Sequence, residues 1–176
     1  MSLVKAISES LSGLHAQWNE AVEDLTPEQL VWRPQGPKSQ GNHIAFTTWH
    51  YVRTEDNIVR FILQDRRPTV WIEGGWDQKF GLDRVAQGTG WTPEQAAAFR
   101  LPMPDWMQYQ RAVWKDCEEY LSKLSEADLE KSVRINPLGE MPARRALVNI
   151  CLTHGHTHLG EVYHLRALMG LKTTPV

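Results

Sequence analysis

Residues 147–165 read LVNICLTHGHTHLGEVYHL. Within them Leu147, Cys151, His154, His158, Val162 and Leu165 recur at intervals of three and four, the spacing of one face of an α-helix. Two imidazoles therefore interrupt an otherwise apolar seam. A helix turns by about 100° per residue, which puts His154 and His158 ~40° apart, one turn from each other. His156 lies ~200° from His154 and His164 ~280°, so neither shares that side. Pro142 at the start of this pattern and Gly170 at its end mark a helix over about 142–170.

A helix with one apolar seam needs partners, and three more amphipathic patterns supply them. Leu3, Ile7, Leu11, Leu14, Trp18, Val22 and Leu25 form one face of a first helix. A second, over about 41–64, carries Ala45, Trp49, Val52, Val59 and Ile62, with Asn42 as its cap. A third, over about 104–124, carries Trp106, Val113, Cys117, Tyr120, Leu121 and Leu124. Between helices one and two, LTPEQL reads as a capped turn, with Thr26 as cap, Pro27 in first position and Gln29 three residues on. RPQGPKSQG, over 33–41, then reads as a loop. Ser125 caps another short turn, and SVRINPLGEM forms a small hairpin. The stretch from Arg66 to Leu101 breaks the periodicity with glycines, prolines and tryptophans. It reads as a long ordered connection with a short helix near Pro93 to Phe99. Connections of that length inside a domain are usually lids or binding loops. The expected fold is all-α: a four-helix bundle, one domain over 1–176, with a long connection between helices two and three.

Composition narrows the function classes. The chain has 176 residues and a formal net charge of −2. A chain of this length buries ~70% of its unfolded surface and needs no disulfides. There is no basic stripe interleaved with aromatics, which argues against nucleic acid and anionic membrane as partners. No apolar run approaches the ~20 residues that span a bilayer. The start, MSLVKAISESLSGL, lacks a signal-peptide core. The expected location is the cytoplasm and the expected partner a small-molecule substrate. Cys117 and Cys151, with no CxxC, read as reduced, packed thiols. Several of the eight tryptophans fall outside the helical patterns and read as walls of a pocket or as a packed loop.

A buried imidazole needs a partner for each nitrogen. A metal satisfies one nitrogen on each ring of an i,i+4 histidine pair. Such a site requires a third ligand, and the second helix offers His50, with His43 as the reserve. His15 reads as an isolated structural or surface residue. HExxH is excluded, because Gly155 follows the first histidine. That glycine costs a helix about 1 kcal/mol relative to alanine, which points to close packing there. The chain has neither paired Glu-x-x-His motifs nor a GxSxG or phosphate-binding glycine loop. Glu161, ~20° from His154 and one turn beyond His158, is the candidate catalytic carboxylate. It can orient a ligand, take a proton from water, or bind the metal itself. Cys151 reads as a small hydrophobe.

Three stretches carry a family resemblance. WHYVRTED at 49–56 resembles the WHxAR-x-(E/D)-D stretch of the DinB-like (DNA-damage-inducible) superfamily. HGHTHLGE at 154–161 resembles its H-x-x-x-H-x-G-Q pattern, and LTPEQLVWRP at 25–34 resembles a recurrent feature after the first helix. The resemblance implies a four-helix bundle with a divalent transition metal, zinc or nickel, on His50, His154 and His158. Three imidazoles suit such ions and leave positions open for water or substrate. Glu161 departs from the pattern, which has Gln there. The resemblance also implies two functional readings, beside which stands a third that is not enzymatic. The first is a metal-dependent hydrolase. The second is an S-transferase or isomerase that uses a low-molecular-weight thiol, mycothiol or bacillithiol. The third is a non-catalytic metal-binding stress-response module that forms a homodimer through an exposed helix face, its site closed by His43 or Glu161 as fourth ligand.

Overall fold

Hydrogen bonds at helix starts decide where most elements begin. The computed structural model describes residues 2–34 and 41–173. The Ser2 hydroxyl accepts from the Lys5 N–H and opens α1 (Leu3–Val22). The expected capping box of Thr26 and Gln29 opens α2 (Pro27–Leu30). Of the loop read over 33–41, residues 35–40 lie outside the described residues. Helix α3 (Ile44–Asp56) begins one residue later than Asn42 would place it. Its cap is His43, whose Nδ1 accepts from the Phe46 N–H at 3.1 Å. Only a neutral ring has a bare Nδ1. Burial, then Arg100 and Arg33, push the His43 pKa down to about 4.

Helix α3 runs on into a π-helical turn, Asn57–Ile62. The long connection then folds into three short helices, α4 (Val70–Glu73), α5 (Trp76–Phe80) and α6 (Pro93–Ala98). The last is the expected helix, with Thr92 and Gln95 as its capping box. Next come α7 (Met103–Leu121) and α8 (Glu126–Leu129), the latter capped by Ser125 as expected. Strands β1 (Ser132–Ile135) and β2 (Gly139–Pro142) pair antiparallel, Ser132 opposite Pro142 and Ile135 opposite Gly139. The final rod is continuous: α9 (Ala143–Ala146), a π-helical stretch (Leu147–Thr153) and α10 (His154–Leu168). Gly170, at φ +73°, ends it in the left-handed conformation that a terminal glycine supplies.

Among the described residues the fold is all-α apart from the one hairpin. Helix α10 packs on α3 and α1, and α7 packs on α1 and α3, so four long rods enclose one core. Trp18, Trp49, Tyr51, Trp71, Trp106 and Tyr109 are fully buried in it. Trp71 belongs to α4, so the connection contributes to the core rather than hanging from it. One buried carboxylate holds it there. Asp56 accepts from the N–H groups of Val70 and Trp71, at 2.8 and 2.9 Å, and from the Tyr109 hydroxyl at 2.9 Å. Arg53 pairs with the same carboxylate at 3.1 Å, donates to the Ala86 carbonyl at 2.9 Å, and stacks over Trp71.

The seam of the last rod differs from its sequence reading in one respect. The deepest positions are Cys151, Gly155, Leu159 and Val162, while His154 and His158 lie half-buried beside them. In the π-helical stretch before His154 the hydrogen bonds reach one residue further, which turns the following helix relative to a uniform α-helix. The close packing expected at Gly155 is present. A Cβ there would lie 2.6 Å from Leu14 Cδ2 and from Tyr51 Cε2.

Two expectations follow. Gly155→Ala destabilises the fold by about 1–3 kcal/mol in denaturant unfolding, because overpacking outweighs the helix-propensity gain. Gly160→Ala, where a Cβ meets nothing within 4 Å, is neutral or mildly stabilising. Second, His43 has a folded pKa of about 4 against an ordinary 6.5. The unfolded chain then binds more protons, so this contribution is complete above pH 6.5 and is lost as pH falls toward 4. Unfolding free energy measured across that window declines, and His43→Asn, which keeps a capping side chain, flattens part of the decline.

Candidate metal centre

Helix α3 contributes His50, and α10 contributes His154 and His158. The Nε2 atoms of His154 and His158 are 2.9 Å apart. The His50 ring stands nearly perpendicular to both, its centroid 5.3 Å from each. One ligand atom from each of the three lies within 4.8 Å of the others. His156 and His164 are exposed on other sides of the helix. The reserve, His43, is spent on capping α3.

Outer hydrogen bonds aim these rings. A carbonyl or carboxylate oxygen only accepts, so the nitrogen facing it must carry the proton. His50 Nδ1 donates to the Gln87 carbonyl at 2.5 Å, which leaves the Nε2 lone pair free. His158 Nδ1 donates to Glu161 Oε2 at 2.9 Å, with the same result. Metal-ligating histidines are held by this kind of contact. Burial, then His158 and His50, push the His154 pKa down to about 4. Burial likewise lowers that of His50. Both rings are therefore neutral at pH 7, as ligation requires.

The donor set fits a divalent transition ion. Two imidazole nitrogens on one tetrahedral ion stand ~3.4 Å apart, a few tenths of an ångström beyond the His154–His158 separation. His154 Nδ1 is buried and has no aligned hydrogen bond. In the ring form that ligates through Nε2, the proton moves to Nδ1, on the side of the Ile150 carbonyl whose bond favours the charged ring. Among the described residues no fourth His, Cys, Asp or Glu joins the three.

The long connection builds the rest of the site. Gly88 follows the carbonyl that orients His50. Its φ is +83°, and a Cβ there would lie 2.8 Å from the Phe46 ring. A cleft of about 340 Å³ opens beside the histidines, lined by Phe46, His50, Gly88, Trp91, Ala96 and His158. Trp91 packs against Phe46 and Trp49. The expectation that tryptophans of the connection wall a pocket thus holds for Trp91. A larger groove of about 830 Å³ lies between the end of the α3 rod, α7 and the hairpin, but it contains none of the histidines. The smaller cleft has the convergent donors and is the candidate site.

Glu161 stands at the rim, half-exposed, and its observed contact is the ring-orienting one. His15 is not isolated. It is buried, with Nε2 2.8 Å from Glu55 Oε1. Its place on α1 gave no hint of this, because Glu55 arrives from another helix. Gln87 was invisible to sequence reasoning for a different reason: it acts through its main chain, which no side-chain pattern encodes.

The sequence model of the DinB superfamily matches residues 10–162, a span that includes all three histidines. The crystal structure of a conserved protein from Enterococcus faecalis superposes with a TM-score of 0.78 at 22% identity, covering 97% of this chain and 99% of that one. At that identity the likeness concerns the fold. No curated protein matches the chain.

Disturbing the outer contacts should weaken metal binding without removing a ligand. Glu161→Gln and Gly88→Ala are each expected to lower affinity ~10–100-fold in competition with a chromophoric chelator, the range typical of outer-contact losses. Thr89→Ala, beside Gly88 but exposed, leaves it unchanged.

Proposed function

The chain belongs to the DinB superfamily, and on that footing we propose that it is a metal-dependent hydrolase of a small-molecule substrate, with zinc or nickel held by His50, His154 and His158. The observation that carries this reading is the convergence of three imidazoles at the edge of an aromatic-walled cleft. Two of the three are locked by outer partners with Nε2 free. Neutral imidazoles suit zinc and nickel, and three protein ligands leave room for water or substrate. An ion there would supply Lewis acidity, polarising a substrate oxygen and bringing the pKa of water toward ~7.

The chain's own groups do the rest. Gln87 and Glu161 hold two rings in their ligating form. Phe46 and Trp91 shield one side of the cleft from water and offer flat apolar surface to a substrate. Glu161 binds His158 through Oε2, which leaves Oε1 to accept a proton at the rim. This carboxylate supplies the proton acceptor that hydrolysis needs. A closed, non-catalytic module would need a fourth protein ligand; Glu161 contacts the far side of the His158 ring, and among the described residues neither it nor His43 joins the three.

Elemental analysis should find that His50→Ala, His154→Ala and His158→Ala each lose one metal equivalent per chain relative to wild type. Unchanged content in all three variants would sink the metal assignment. With metal saturating, Glu161→Gln lowers kcat for an ester or amide substrate ~100-fold or more. Turnover of an electrophile only in the presence of a low-molecular-weight thiol would replace hydrolysis with S-transfer.

A further inference from the structure

A second group of potential ligands lies inside the core, on different helices. His15 comes from α1, Glu55 from α3 and Cys117 from α7, and one donor atom from each lies within 4.8 Å of the others. All three are buried: His15 is 3% exposed, Glu55 and Cys117 not at all. The last rod adds Cys151, fully buried and near enough to Glu55 and Cys117 to interact with their charges. Each of the four rods thus places one such residue in this cluster.

His15, Tyr51 and Cys117 all converge on the Glu55 carboxylate, with His15 Nε2 2.8 Å from Oε1. His15 Nδ1 has no hydrogen-bond partner. A buried ring nitrogen left unpaired is costly. The surroundings resemble the outer contacts of a ligand set. The Tyr51 hydroxyl donates to the other carboxylate oxygen, Glu55 Oε2, at 2.5 Å. Trp114 stacks on the His15 ring at 4.7 Å and 9°, fixing its plane. Burial alone would push the Glu55 carboxyl up, but the adjacent His15 and the Tyr51 hydroxyl help hold it below its usual range. A carboxylate is thus available in the core.

We propose that His15, Glu55 and Cys117 form a second, structural metal site that takes a borderline-soft divalent ion of the zinc class. Mixed thiolate, imidazole and carboxylate donors suit zinc, and the burial of all three, away from any cleft, marks a structural rather than a catalytic role. Binding forms one bond from the ion to each of the three donors, displaces water from the ion, and releases the Cys117 thiol proton to solvent. The burial of every donor means that the ion enters as the chain folds. This site is independent of the three-histidine centre, because the two share no residue.

The test refolds the full chain from denaturant with cobalt(II) in place of zinc. A thiolate ligand gives a near-ultraviolet charge-transfer band, which an all-histidine site cannot give. Wild type is expected to show that band and to bind two equivalents. The variant with His50, His154 and His158 all changed to alanine keeps the band and one equivalent. Cys117→Ser, close to isosteric, loses or strongly reduces the band and keeps the equivalent at the three histidines. Zinc raises the melting temperature of the triple-histidine variant but not when Cys117→Ser is added. No thiolate band in refolded wild type overturns the proposal, whatever the variants do, as does a band that survives Cys117→Ser undiminished.

Discussion

Helix α10 can settle onto α1 and α3 only because residue 155 has no side chain. Leu14 from α1 and Tyr51 from α3 occupy the space where a Cβ would stand. Everything at the site depends on that approach. His154 precedes the glycine and His158 follows it within a turn, and both are carried toward His50 as the backbone comes down. The glycine loosens the helix slightly by its own propensity. The packing it permits more than offsets this, and it sets how far apart the ligands of α3 and α10 stand.

The second dependence runs through the connection after α3. Asp56 accepts from the first turn of α4, Arg53 reaches the Ala86 carbonyl, and Gln87 next to it orients His50. Four residues of one short stretch thus divide three duties. His50 faces the cleft, Arg53 and Asp56 anchor the connection, and Glu55 meets His15 in the core. A π-helical turn directly follows this stretch, and another directly precedes His154. Both rods depart from regular α geometry next to the residues that matter for the site, a frequent location for such turns.

Much of this was legible in the sequence. Periodicity of three and four located the four long rods, and the caps at Thr26 and Ser125 are short-range hydrogen bonds written into local sequence. The i,i+4 pair separated His154 and His158 from His156 by angle alone, and their neighbour His50 was found because ligation needs a third donor. Three things were not legible. The π-helical stretch rotated the histidines to the edge of the seam, and no residue pattern announces an extra residue in a turn. His43 took the cap from Asn42 because burial keeps its ring neutral, a property of the folded surroundings. His15 acquired a partner from forty residues away, and the orienting contact on His50 is a main-chain oxygen.

That last feature bears on how the protein can change. The connection is held at Ala86 and Gln87 through carbonyl groups, which every residue type possesses. Of these three neighbours Gly88 is the one whose identity is restricted, through its backbone angle and its contact with Phe46. The Gln87 side chain can therefore change while its carbonyl keeps the ligand ring in place. Mutation can alter that position without first dismantling the apparatus that aims the ring.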